Sequence, residues 1–136
     1  MRCTIKLCAV LALSLFIAAP SFAHHVKGQS TALVVTTSSP KARAAWDKGV
    51  ADYENLYLER CNEDWRAAVK EDPNLAVAWV WLAFNSGDPQ EVATAREKAK
   101  ELAPKTSPGE QLMVAWVVKV QEGDFIGGIT AMNDML

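Results

Sequence analysis

From Pro40 onward, apolar residues recur at helical spacing, and compact breakers cut the pattern into six stretches. Ser39-Pro40 reads as a start signal: a serine cap, then proline at the first helical position, where its missing N–H costs nothing. The first stretch runs from about Pro40 to Leu56, with Ala42, Ala45, Trp46, Gly49, Val50 and Tyr53 at helical spacing. The second runs from about Glu59 to Glu71, with Cys61, Trp65, Ala68 and Val69 on one face. Asp72-Pro73-Asn74 ends it, because proline cannot continue the hydrogen-bond ladder and disfavours helix in the residue before it. The third, Leu75 to Asn85, is apolar almost throughout, which predicts a helix covered on most sides.

Ser86-Gly87-Asp88-Pro89 stops the third helix and starts a fourth, Pro89 to Leu102, whose Val92, Ala95, Ala99 and Leu102 form a buried stripe among Lys and Glu. Ser107-Pro108 repeats the start signal and opens a fifth helix through Leu112, Trp116, Val117 and Val120. Gly123-Asp124 breaks it, and Phe125 to Leu136 forms the sixth. Outside the segment before Ser39, no strand alternation competes, so the expected class is all-α. His24 to Ser38 is polar and small apart from Ala32-Leu33-Val34-Val35, and it reads as a flexible linker with one short extended piece.

The first 23 residues carry a different pattern. Arg2 and Lys6 lead an uncharged apolar run, Leu7 to Ala19, that Pro20 breaks before Ser21-Phe22-Ala23. That is the layout of a cleaved secretory signal. The apolar run is thirteen residues long, short of the roughly twenty that a membrane-spanning helix needs. Export to the periplasm or the medium is therefore expected, with no membrane association after cleavage. Cleavage removes Arg2 and Lys6 and leaves 12 basic against 16 acidic residues, a net charge of -4. No basic cluster remains to track a phosphate backbone, so nucleic-acid binding is not expected. Cys3 and Cys8 leave with the signal; Cys61 stays alone and cannot form an internal disulfide.

Gly49 and Ala83 lie 34 residues apart, as do Ala45 and Trp79. With three helix pairs, this spacing resembles the tetratricopeptide-repeat family. In the first pair Gly49 fits the small slot, Cys61 the alanine slot and Trp65 the aromatic slot, followed by Ala68 and Pro73. In the second pair Trp79-Val80-Trp81-Leu82-Ala83 matches the opening and Pro104 the close; the third offers Leu112, Trp116, Gly128 and Met132. Asp52 and Ser86 stand where the family places an aromatic residue, and the second pair closes about three residues early. The resemblance implies antiparallel helix pairs stacked as a short right-handed solenoid, with repeats over about 39–73, 74–104 and 105–136. On this resemblance the third repeat is expected to be truncated and to lack a cap. A non-repetitive helical bundle is the alternative architecture.

Candidate chemistry is sparse. Both histidines, His24 and His25, lie in the linker, so no hydrolytic triad can form in the helical part, and no cofactor or metal is expected. A terminal His24-His25 lacks the further ligands of a metal site. Gly127-Gly128 has neither the lysine nor the preceding strand of a phosphate loop. Glu63-Asp64 and Glu71-Asp72 point in different directions on their helices and read as solvated surface.

The expectation is a non-catalytic scaffold. The family resemblance implies a concave groove lined by the first helix of each pair, binding a protein or peptide. The residues at the matching positions are Arg43, Trp46, Val50 and Tyr53, then Val80 and Phe84, then Met113 and Val117, with Arg43 as an anchor for a carboxylate. Val77, Glu110 and Val120 occupy matching positions too. Two alternatives stay open: a piece of a larger exported enzyme or regulator whose active part lies beyond Leu136, and a module that self-associates through its uncapped last helix.

Overall fold

The computed structural model describes residues 33–136; the expected leader, His24-His25 and the rest of the linker up to Ala32 lie outside the described residues. The described chain is all-helical: α1 (Pro40–Glu54), α2 (Leu58–Glu71), α3 (Ala76–Asn85), α4 (Pro89–Leu102), α5 (Pro108–Gln121) and α6 (Phe125–Met135), with a 3-10 turn at Ala103–Lys105. None of these helices is long and apolar enough to cross a membrane.

Local sequence accounts for most of the helix starts. The side chains of Ser39, Asp88, Ser107 and Asp124 each accept a backbone N–H of the first turn, and Ser107 forms a reciprocal capping box with Glu110. The α1 end differs from the expected Leu56. Leu56 takes a left-handed φ of 63°, so the helix stops at Glu54 and the chain reverses through Asn55-Leu56-Tyr57 into α2.

Consecutive helices pack as α1 on α2, α3 on α4 and α5 on α6, while α3 also touches α2 and α5, and α4 touches α5. The uncharged α3 is the centre of this arrangement: Ala76, Val77, Ala78, Val80, Leu82 and Ala83 are all buried. Burial repeats along the chain with the 34-residue spacing. Ala42 and Ala76, Trp46 and Val80, Gly49 and Ala83, Cys61 and Ala95, and Trp65 and Ala99 are buried pairs at that offset.

The close approach of α1 to α2 depends on a glycine. A Cβ at Gly49 would stand 2.6 Å from Cδ1 of Trp65, whose side chain is fully buried. Trp65 in turn belongs to a chain of aromatic contacts running from Trp46 through Trp65 and Trp81 to Trp116, with Tyr53 and Phe84 packed on Trp81 at centroid distances of 4.8 and 5.6 Å.

Ion pairs join the elements at their rims. Arg66 of α2 holds Glu91 of α4 through two 2.7 Å hydrogen bonds, and Ser86 donates to the same carboxylate. These bonds keep the Glu91 carboxyl below its ordinary range, against the opposing effect of burial. Lys48 of α1 reaches Asp64 of α2 at 2.6 Å, which raises its ammonium above the usual lysine value.

Candidate functional site

The residues before α1 depart from the expected flexible linker. Leu33–Ser38 form an extended segment pinned against the helices. Its backbone and side chains bond to three separate places: the start of α1, the end of α2 and the start of α5. Arg43 donates to the Val35 carbonyl at 2.9 Å. Thr37 donates to Asp72 at 2.6 Å. Thr36 gives its N–H to one oxygen of Glu110 at 2.9 Å and its hydroxyl to the other. Ser107 donates its hydroxyl to the Val34 carbonyl at 2.7 Å.

Side-chain shape fits this seat. Val35 is buried, and Leu33 sits where a Cβ on Gly109 would come within 2.9 Å of it. Glu110, fully buried, is satisfied by Thr36 and by the Ser107 N–H at 2.9 Å. Burial of a carboxylate is tolerated only with such partners.

Beside this strap lies a groove of ≈ 500 Å³, within the size range of small-ligand and peptide sites. α1 supplies Arg43, Trp46, Asp47, Val50 and Glu54; Trp81 comes from α3, Met113 from α5, and Leu33 and Val35 from the strap. The groove thus lies among the first helices of the three pairs. Its floor is aromatic and aliphatic, with charge on α1 alone.

The expected groove residues divide three ways. Arg43, Trp46, Val50 and Met113 line the groove. Trp46 is nevertheless only 5% exposed, so it forms part of the floor rather than a projecting anchor. Tyr53 and Phe84 adjoin the groove by packing on Trp81, and Phe84 is 40% exposed. Val80 and Val117 are a correction: both are buried in the core between α3, α4 and α5, where no partner can reach them. On a helix covered on most sides, position relative to a motif does not tell the groove face from the core face. Arg43 gives one guanidinium N–H to the strap carbonyl of Val35, and it remains part of the groove lining with its other N–H groups.

Sequence reasoning passed over Asp47, Glu54 and Trp81. The first two were legible: Arg43, Asp47, Val50 and Glu54 follow i, i+4, i+7, i+11 and must share one face of α1. Trp81 was not, since in so apolar a helix its direction depends on what covers the other sides.

Among the described residues, no three His, Cys, Asp or Glu side chains gather closely enough to hold a metal ion. Cys61 is fully buried and donates its thiol to the Leu58 carbonyl at 3.0 Å; burial raises the thiol above its ordinary value. Comparison of the chain with protein-family models, with curated proteins and with solved structures finds no match in any of the three.

Proposed function

We propose that this chain is an exported, non-catalytic scaffold of the tetratricopeptide type that binds an extended segment of a protein or peptide in the groove between α1, α3 and α5. The observation that carries the reading is the strap. The chain's own Leu33–Thr37 lies beside the groove as an extended segment, bonded through backbone groups and seated by apolar side chains. Next to the strap, Trp46, Val50, Trp81 and Met113 provide an apolar floor on which a second extended segment loses water. The 34-residue repeat of buried positions supports stacked helix pairs over a non-repetitive bundle.

The test is selection of random heptapeptides on the purified protein, followed by affinity measurement against Val50→Glu and Met113→Glu variants. The scaffold reading expects both variants to keep their helical circular dichroism and to lose selected peptides by about tenfold or more. Binding that ignores both variants would place recognition elsewhere and remove the groove from consideration.

A second reading rests on α6. Phe125, Ile126 and Ile129 are 63%, 76% and 57% exposed, and Met132 adds to the same apolar surface. Such a face favours self-association. Light scattering decides it: a dimer that Ile126→Glu/Ile129→Glu returns to monomer supports this reading, and a monomeric unsubstituted protein at micromolar concentration ends it.

A further inference from the structure

The groove is charged along one wall only. Of its lining residues, Arg43, Asp47 and Glu54 carry charge, and all three belong to α1. α3 contains no charged residue at all, and α5 contributes Met113. Arg43 is turned to the strap, where it holds the Val35 carbonyl. Asp47 and Glu54 are exposed, and among the described residues neither has an ion-pair partner. Val50 stands between them, facing Trp81 and Met113 across the groove.

The spacing of the two carboxylates is informative. They are seven residues apart on one helix, which places them about 10.5 Å apart along its axis. An extended chain of the polyproline II form has three residues per turn and advances about 3.1 Å per residue, so cationic side chains three positions apart share one face about 9.3 Å apart, close to that separation. Residues between the two cations would lie over Val50, Trp81 and Met113, where apolar side chains lose water. The strap borders the groove and contributes Leu33 and Val35 to its apolar lining.

Resting on the groove reading above, we propose that the partner is an extended peptide segment carrying two Lys or Arg residues three positions apart, with apolar residues between them. Asp47 and Glu54 pair with the two cations, and Val50, Trp81 and Met113 receive the apolar side chains. Opposite charge selects the partner and like charge rejects competitors.

Three capped hexapeptides test this on the purified protein: Gly-Lys-Leu-Val-Lys-Gly, its glutamine analogue and its glutamate analogue. Binding is read by calorimetry and by tryptophan emission, since Trp46 and Trp81 line the groove. The expected result is that the lysine peptide binds at least about tenfold more tightly than either analogue. Asp47→Lys/Glu54→Lys should transfer that preference to the glutamate peptide, and Asp47→Asn/Glu54→Gln should abolish it. Both pairs of substitutions fall at exposed positions, and circular dichroism checks that each variant folds. Equal binding of the glutamine and lysine peptides overturns cation selection while leaving the groove in place. Absence of binding by all three overturns the proposal, and the Val50→Glu and Met113→Glu measurements separately decide whether the groove reading falls with it.

Discussion

Thr36 and Glu110 stand 74 residues apart and are joined twice, through the Thr36 backbone N–H at 2.9 Å and through its hydroxyl. The same buried carboxylate accepts the Ser107 N–H at 2.9 Å, so one side chain caps α5 and fastens the strap. A cap that would otherwise be a local device thereby becomes a long-range tie.

Glu110→Gln is expected to loosen that tie. The amide replaces an acceptor oxygen with a donor, facing the Thr36 and Ser107 donors. The lost bonds cost about 1–3 kcal/mol, concentrated on the strap and the first turn of α5. Hydrogen exchange should show faster amides at Val35–Ser38 with little change in α3; unchanged protection there would refute the role given to Glu110.

Gly49→Ala should destabilise the protein despite the better helix propensity of alanine. The new methyl would collide with the Trp65 indole, which is fully buried and has nowhere to retreat. Overpacking of this kind costs about 1–3 kcal/mol, against roughly 1 kcal/mol gained in propensity. Urea denaturation should give a lower midpoint than the unsubstituted protein.

The opposite sign is expected at Leu56. Its side chain is 79% exposed and its φ of 63° is strained for a residue with a Cβ. Leu56→Gly removes that strain and should raise the stability by about 0.5–1 kcal/mol, the residue being in a turn rather than a helix. A thermal midpoint at or below the starting value would contradict this.

Acid should weaken the join between the first two helix pairs. Hydrogen bonds from Arg66 and Ser86 depress the Glu91 carboxyl below its ordinary range. A carboxyl depressed on folding contributes stability at pH above its unfolded value of about 4.3. That contribution fades as the pH falls through the lower folded value. The pair is partly exposed, so an effect no larger than about 1 kcal/mol is expected. Arg66→Ala should flatten this part of the stability profile between neutral pH and pH 3.

The Cys61 thiol should resist alkylation at pH 8 in the native protein and react at once in denaturant. Burial both hides the sulfur and raises its pKa. Rapid labelling under native conditions would mean that α2 opens locally.

Helix positions are largely legible in the amino-acid sequence because their signals are local. Ser39-Pro40, Asp88-Pro89 and Ser107-Pro108 each specify a start with two adjacent residues, and all three begin helices as expected. Leu56 shows where this fails: no neighbouring residue predicts left-handed backbone for a leucine, and the demand comes from turning α1 back along α2. The groove is legible in part. Arg43, Val50 and Met113 line it, while Val80 and Val117 face inward, because on the crowded helices of the second and third pairs the buried side depends on which neighbours close over it.

The sequence by itself determined the all-helical class, the breaks after the second helix and the burial of Cys61 and Trp65, because capping, proline geometry and apolar periodicity act over a few residues. Only the tertiary structure decided that Leu33–Ser38 would be held as a strap, and that Arg43 and Glu110 would serve it. It alone brought Asp47, Glu54, Trp81 and Met113 around one groove. The physical reason is separation along the chain: a polar segment reads as linker until the carboxylate that receives it, 74 residues away, is folded into place.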